Sequence, residues 1–375
     1  MKVVVIGAGV GGVACAKRLS EHAKDIQVVV IDPAVNHDFA PSFLWLLNGT
    51  RNVEQVSWPI DSISSWGVEL VSERVTGIDP GAQNVTTTSS TVSYDELVVA
   101  PGAELNFADV PGLGNASSFY TKDSAADLGA TLRNFKGGRV QIVVPSMPYK
   151  CPAAPYEAAF LIEAYLRKRG VESQVGVHTV EPQPMPVAGP VVGGRVAAML
   201  EKRGIEFRPN RKIGEIDHNV QLLRFEDGPE RYDLLIAIPP HRAPAFVRDS
   251  ELAGPNGWIP VDRHTLRAAE HAHAIGDVTS IQLANGKPLP KAGVFANEQA
   301  HIVADNLIAI ADGREPSARF AGHGSCFLEI GRGKAGVAKG DFFAEPDPQV
   351  RMFPPTRVGH LGKVLFERKW LGQFD

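Results

Sequence analysis

One stretch near the N-terminus restricts the fold more than any other. Val3-Val4-Val5-Ile6 is followed at once by Gly7-Ala8-Gly9-Val10-Gly11-Gly12, and Val13 to Leu19 continues with the apolar spacing of a helix. The aliphatic run predicts a buried parallel strand. The glycines fit G-x-G-x-x-G between that strand and that helix. A second strand, Ile26 to Ile31, ends at Asp32. Each part has a physical task. Gly7 makes the tight turn, Gly9 lets the backbone approach a pyrophosphate, and Gly12 lets the helix pack closely on the strand. Asp32 accepts hydrogen bonds from a ribose hydroxyl. The stretch predicts a Rossmann-type dinucleotide-binding unit. Cys15, inside the helix among small residues, reads as a buried core thiol without a redox role.

A second strand-turn-helix follows the same plan without the glycines. Arg139 to Val144 reads as a buried strand and Tyr156 to Arg169 as a helix, with Ala158, Leu161, Ile162, Tyr165 and Leu166 on one face. Between Gly138 and Gly170 there is no glycine. Instead the turn holds Pro145, Pro148, Pro152 and Pro155 around Cys151. A pyrophosphate needs the glycines, so the turn is read as presenting sulfur where a nicotinamide nucleotide would sit. Lys150 beside Cys151, and the helix start after it, predict a lowered thiol pKa. Beyond come a strand at Ser173 to Thr179, a helix at Val191 to Arg203 and a strand at Asp233 to Ile238. Glu181, which stands where a ribose-binding acid would, reads as a surface residue because the glycine loop is missing.

The bulk composition excludes several classes. With 375 residues, 44% apolar and 21% charged, the chain is long enough for two or three cored domains. A net charge of −4 without a basic block argues against a nucleic-acid partner. Three cysteines without metal spacing imply neither a disulfide scaffold nor a metal site, and no C-x-x-C-H motif is present for a c-type haem. The strand starting at Lys2 leaves no room for a signal peptide, and no apolar run reaches the length of a membrane span. The expected location is cytoplasmic, with peripheral membrane contact as an addition.

Later segments separate FAD from NAD. Tyr94-Asp95-Glu96-Leu97-Val98-Val99-Ala100-Pro101-Gly102 resembles the strand and turn that follow the first glycine motif in two-dinucleotide flavoproteins, and His273-Ala274-Ile275-Gly276-Asp277-Val278 resembles their second FAD element. That resemblance sets Asp277 against the ribityl chain or pyrophosphate; otherwise it is a turn or cap residue. Phe39 to Trp45 either packs beside the flavin or joins the core. Pro290-Lys291-Ala292-Gly293 leads into a helix from Asn297, so Lys291 either faces the flavin or is a solvated lysine. From Phe320 onward, alternation and glycines predict antiparallel strands, with Cys326 opening the first. Residues 360–371 read as an amphipathic helix, with Leu361, Leu365 and Phe366 on one face and Lys363, Arg368 and Lys369 as its charges. It lies either on a membrane surface or over the protein's own core.

Tyr149-Lys150-Cys151-Pro152-Ala153-Ala154-Pro155-Tyr156-Glu157 resembles the cysteine signature of the sulfide:quinone oxidoreductases and of the flavoprotein subunit of flavocytochrome c sulfide dehydrogenase. Phe39-Ala40-Pro41-Ser42, Pro290-Lys291-Ala292-Gly293 and Phe366-Glu367 are similar to other elements of that group, so the resemblance spans essentially the whole chain. It implies a redox pair of Cys151 and Cys326, with Glu157 and Lys291 as further catalytic residues. Glu157 either moves protons or stabilises the first turn of its helix. The FAD would contact Gly7, Gly9, Gly12, Asp32, Pro41, Ala100, Gly102, Gly276, Asp277, Lys291 and Ala292. No cysteine stands in Ser118-Phe119-Tyr120-Thr121, where many quinone-reducing members carry one. The electron acceptor, quinone or cytochrome, stays open at this point, as does the cysteine that faces the flavin. Phe327, Phe343 and Phe353 are candidates to line the acceptor pocket.

The expected fold is α/β, with two Rossmann-like dinucleotide-binding domains on parallel sheets and a C-terminal β-rich and helical section. Residues 1–110 and 256–315 would form the FAD-binding domain, 111–255 a second Rossmann-like domain degenerate for NAD, and 316–375 an interface section that suits a homo-oligomer. Two other functions fit less well: an NADH-dependent flavin reductase of quinones or disulfides, and a non-catalytic FAD-binding protein using the cysteines as a redox latch.

Overall fold

A computed structural model of the chain describes residues 1–22 and 25–374. The first sheet is built around the strand Lys2–Ile6, whose four aliphatic residues are at most 2% exposed. It pairs in parallel with Gln27–Ile31 on one side and Glu96–Val99 on the other. Glu69–Val71 extends one edge. The other edge comes from far along the chain: Ala272–Ala274 pairs in parallel with Glu96–Val99, and Arg267–Ala269 lies outside it. A helix, Val10–His22, follows the first glycine turn and packs against the long helix Gly293–Ala311.

The second sheet has four parallel strands in the order Glu206–Arg208, Ser173–Thr179, Gly138–Val144, Leu234–Ala237. Its central run, Val140 to Val144, is buried on both faces, which is why the sequence reads as a continuous apolar stretch rather than an alternation. The helix Ala154–Lys168 begins two residues before the predicted Tyr156. Pro155 sits in its first turn, where a missing N–H costs nothing. Both α/β halves carry a three-stranded antiparallel sheet, one formed by strands between Val75 and Ser93, the other between Ile213 and Arg231. Neither was visible as an apolar pattern, because most of their residues face solvent.

The C-terminal section is the predicted antiparallel sheet, His323–Glu329, Ala335–Asp341 and Gln349–Thr356. Cys326 does not open its strand; it sits mid-strand, opposite Ala338. The tail helix is Arg357–Leu371. Its buried positions are Gly359, Lys363, Glu367, Trp370 and Leu371, while Val358, Leu361, Leu365 and Phe366 are 78%, 54%, 55% and 40% exposed. Two charged residues face inward and four apolar ones outward.

The glycine turn tests the roles expected of it. A Cβ on Gly12 would lie 1.8 Å from the Gly7 carbonyl oxygen, whereas one on Gly9 would meet nothing within 4 Å. Gly12→Ala therefore forces helix and strand apart and destabilises by about 3 kcal/mol, the upper range for overpacking. Gly9→Ala leaves the midpoint of thermal unfolding unchanged. Calorimetry of the two variants should separate them cleanly.

Candidate active site

Cys151 is held in a left-handed backbone conformation, φ +59°, which a residue with a Cβ rarely adopts. Hydrogen bonds fix it there. Its N–H donates to the Lys291 carbonyl at 2.7 Å, and its own carbonyl accepts from the Ala154 N–H at 2.8 Å. The first bond ties the cysteine turn to the loop that leads into helix Gly293–Ala311. Cys326, brought in by the C-terminal sheet, reaches the same point. The two thiols are close enough for each to shift the titration of the other. The Cys326 thiol donates to the Phe327 carbonyl oxygen at 3.4 Å.

The pair is electrostatically unequal. The hydrogen bond from Cys326 lowers the Cys151 pKa, against burial and the Glu157 charge, with help from Lys363. The same contact, followed by burial, raises the Cys326 thiol well above its ordinary range. Cys151 is thus the more acidic thiol of the two. Lys150, which the sequence suggested as the cation acting on Cys151, is not among the leading causes of this split; its ammonium lies over the Tyr120 ring, 6.0 Å from the centroid. The cation that acts on Cys151 is Lys363, from the tail helix.

Lys363 donates to Glu157 in a pair that is almost wholly buried. Burial alone would lower the lysine pKa, but the carboxylate raises it. Glu157 is itself pushed up by burial, which Lys363 opposes. Its second oxygen accepts the Glu329 N–H at 3.2 Å. Glu329 in turn accepts from His360 Nδ1 at 2.6 Å, and His360 is the partly exposed end of this chain of contacts. Lys363 and Arg51 lie on the Trp45 ring, 4.8 and 4.7 Å from its centroid. Glu367, one turn on, accepts from Ser42 Oγ at 2.6 Å and pairs with Arg51. Within the stretch Phe39 to Trp45, Phe39 and Ser42 to Trp45 are buried, whereas Ala40 is exposed and Pro41 half-buried. Phe39 stacks on Trp370 of the tail, and Pro41 sits in the short 3-10 turn Ala40–Ser42 between them.

The dinucleotide pocket of the first sheet has the expected parts. Gly7 has φ +95° and a Cβ there would strike the Ala100 carbonyl oxygen at 2.5 Å. Asp32 accepts from the Ala8 and Ala34 N–H groups, both at 2.7 Å, which fixes its carboxylate at the strand end. Ala100 and Gly102 (φ +72°) form the turn after Glu96–Val99, the neighbouring strand. Gly276 (φ +75°) donates its N–H to Gln299 at 2.7 Å. The Asp277 carboxylate accepts no hydrogen bond among the described residues, so its lone pairs stay available to hydroxyl donors. The helix starting after Ala292 has no side-chain cap, which leaves its positive end for an anion. Gly276, Lys291, Ala292 and Gln299 line one cavity. Lys291 is not a solvated lysine: Nζ donates to the Asp277 carbonyl at 2.5 Å and lies 3.5 Å from the Trp258 ring centroid. Burial lowers its pKa to about 8. These residues fit FAD: open space at Gly9, a carboxylate at each strand end, and an uncapped helix.

The corresponding pocket of the second sheet is closed. Glu181 is 4% exposed, not a surface residue as the sequence suggested. It accepts from Tyr149 at 2.7 Å and Tyr156 at 3.3 Å, so both tyrosines of the cysteine turn fill the position of a nucleotide ribose. Phe343 does not approach the thiols; it packs on Phe320 and His264. Phe353 is 52% exposed, and Phe327, which follows Cys326 on its strand, packs against Phe366 of the tail helix. Cys15 is fully buried and its pKa is raised to about 12, as suits an inert thiol. Lys363, Glu329, His360 and Gln299 were not named from the sequence as site residues. Lys363 was read only as one of the charges of the amphipathic tail helix.

A family model, pyridine nucleotide-disulphide oxidoreductase, matches residues 1–300. The chain belongs to that family. Within it, the chain is similar to a sulfide-quinone reductase of Aquifex aeolicus, 27% identical over 395 residues, covering 98% of this chain and 90% of the relative. It is also similar to the mitochondrial sulfide:quinone oxidoreductase of Mus musculus, 26% identical over 371 residues, covering 92% of this chain and 79% of the relative. The X-ray structure of the Aquifex aeolicus sulfide:quinone oxidoreductase superposes with a TM-score of 0.89 at 25% identity, covering 100% of this chain and 91% of that one. In this family member, the second nucleotide pocket is taken by tyrosines and a paired thiol.

The inequality of the thiols gives a measurable consequence. In the reduced protein, alkylation of Cys151 followed by mass spectrometry should show a midpoint pH below that of an ordinary cysteine. Cys326→Ala removes the largest lowering contribution and leaves burial and Glu157, so the midpoint moves up. An unchanged midpoint would mean that Cys326 does not set the Cys151 charge.

Proposed function

We propose that this chain is a sulfide:quinone oxidoreductase, which oxidises sulfide to sulfane sulfur at Cys151 and Cys326 and delivers the electrons through FAD to a quinone. The observation that carries the reading is the packing of Cys151 and Cys326 against one core cluster, with Cys151 tied to the Lys291 loop and Glu181 taken up by tyrosines. The domain division at residues 110, 255 and 315 is part of the proposal. It is supported by the pairing of Ala272–Ala274 with Glu96–Val99, which returns the chain to the first sheet.

In the oxidised state the two sulfurs form a bridge. The inequality of their pKa values decides how it opens, because the thiol of lower pKa leaves faster. Cys151 is that thiol, so sulfide attacks the Cys326 sulfur and the bond electrons stay on Cys151. A persulfide is left on Cys326 and a thiolate on Cys151, on the side tied to the Lys291 loop. Lys363 holds its positive charge against the developing thiolate. Glu157, raised by burial and joined through Glu329 to His360, can hold a proton released at the thiols. FAD, when bound, supplies two-electron chemistry, accepting the pair from the thiolate side and passing it on. Gly7, Gly9, Gly12, Asp32, Gly102, Gly276, Asp277 and Ala292 would hold it, Pro41 and Ala100 would border it, and buried Lys291 would place a cation beside it.

No helix among the described residues is long and apolar enough to cross a membrane. A quinone is lipid-soluble, and the outward face of the tail helix offers Val358, Leu361, Leu365 and Phe366 to a bilayer surface. Leu361→Glu with Leu365→Glu should reduce co-sedimentation with phospholipid vesicles and leave the anaerobic rate with sulfide unchanged, since neither side chain is buried.

Purified protein should be yellow and should bleach on anaerobic addition of sulfide, and Cys151→Ser should abolish the bleaching. NADH should not bleach it. Bleaching of Cys151→Ser at the native rate would remove the cysteine mechanism, and rapid bleaching by NADH would restore the nicotinamide-dependent alternative.

A further inference from the structure

His241 follows the last parallel strand of the cysteine half, Leu234–Ala237. Its N–H donates to the Pro148 carbonyl at 3.0 Å, and it pairs with Leu105 in a short antiparallel bridge to the first half. The side chain is 4% exposed. Nδ1 lies 2.8 Å from the Pro239 carbonyl oxygen. A carbonyl only accepts, so Nδ1 carries the hydrogen and Nε2 is a lone pair. That nitrogen is buried and has no hydrogen-bond partner among the described residues. Burial, then the charges of Lys150 and Lys291, hold the imidazole pKa down to about 3, so the ring stays neutral. A buried acceptor without a donor is costly, and each such atom in a folded chain calls for a donor from elsewhere.

The surroundings narrow the donor's chemistry. The ring meets Tyr120 edge-on at 5.1 Å. The Tyr120 hydroxyl donates to the Lys150 carbonyl at 2.9 Å, one residue from Cys151, and Tyr120 feels the Cys151 and Asp277 charges. Lys150 and Lys291 both act on His241. The spot thus combines two cations, one hydrogen-bond acceptor and the redox cysteine turn. It suits a small anion that still carries one hydrogen, which describes the hydrosulfide ion.

We propose that His241 Nε2 accepts the S–H hydrogen of an incoming hydrosulfide ion, whose charge Lys150 and Lys291 hold, so that its sulfur faces the Cys151–Cys326 bridge. The inference rests on the sulfide reading above and adds a substrate-binding residue to it. The step balances without a proton transfer. The hydrosulfide sulfur bonds to the Cys326 sulfur, the sulfur–sulfur bond breaks, and its electron pair stays on Cys151. The hydrogen remains on the new persulfide. His241 orients it and takes no proton, in keeping with its neutral ring.

Cyanide is the control nucleophile, an anion of the same charge with no hydrogen to donate. In oxidised, FAD-loaded protein, His241→Leu should slow anaerobic bleaching by sulfide about tenfold, the worth of one hydrogen bond. The rate at which cyanide opens the bridge, read as one thiolate released per chain, should not change. His241→Gln keeps a neutral acceptor and should recover most of the sulfide rate. Should His241→Leu not fold, Lys150→Met gives an independent reading, with both anions slowed alike. An unchanged sulfide rate, equal losses for sulfide and cyanide in His241→Leu, or a displaced flavin absorption maximum would overturn the proposal. So would a Lys150→Met that slows neither anion. Failure of the native protein to bleach with sulfide would instead sink the sulfide reading itself.

Discussion

The ion pair between Lys363 and Glu157 is the interaction on which the rest of the site depends. Glu157 stands in the first turn of the helix that follows Cys151, and Lys363 comes from the tail more than 200 residues later. Either charge alone in that interior would be expensive to bury. Together, and with the Glu329 N–H on the remaining carboxylate oxygen, they can be enclosed. The pair therefore joins three elements that share no sequence neighbourhood: the cysteine turn, the strand of Cys326 and the tail helix. Glu329 is three residues beyond Cys326, so the same bond that satisfies Glu157 also fixes the register of the second sulfur. The cation that favours the Cys151 thiolate is thereby delivered by the element that closes the fold.

Cys151 shows what the exchange of glycines for prolines requires. A nucleotide turn needs residues without side chains, because the pyrophosphate lies against the backbone. A sulfur-presenting turn needs a Cβ, yet it must still reverse the chain between a strand and a helix in the same space. The result is a cysteine in the left-handed region, a strain of about 1–2 kcal/mol. The hydrogen bond to the Lys291 carbonyl and the one from Ala154 offset it. Tyr149, two residues earlier, is anchored on Glu181, so the turn is held from both of its neighbours. A carboxylate that would recognise a ribose has instead become an anchor for the thiol loop.

How far this could be read from the sequence depended on how local each signal was. The first glycine turn, with Gly7, Gly9, Gly12 and Asp32, was legible because strand, turn and helix are contiguous and each glycine answers one steric demand. The strand Ser173–Thr179 was legible for the same reason. Cys151 and Cys326 could be paired only through the family resemblance, since nothing in spacing connects residues on different sheets. Glu181 was misread because the missing glycine loop left it no nucleotide to bind, whereas its burial rests on two tyrosine hydroxyls from the cysteine turn and the helix after it. The tail helix inverts the usual arrangement, and its sequence left the placement open. Periodicity shows that a helix has two faces; it does not say which of them has a buried carboxylate waiting for it.

That inversion has a consequence for how the molecule meets a hydrophobic electron acceptor. A helix usually places its apolar stripe on the core and its charges in water. Here Lys363 and Glu367 are drawn inward by Glu157, Arg51 and Ser42, which fixes the rotation of the helix about its own axis. Once that rotation is set, Leu361 and Leu365 have no interior position left and must face outward. Phe366, partly exposed, also touches Phe327, the residue after Cys326. The outward apolar face is thus not an independent feature added for docking. It follows from completing the thiol site, and one side chain, Phe366, connects the two. On the reading proposed here, a bilayer covering that face would meet the protein at the Phe327–Phe366 contact, one residue along the strand from Cys326.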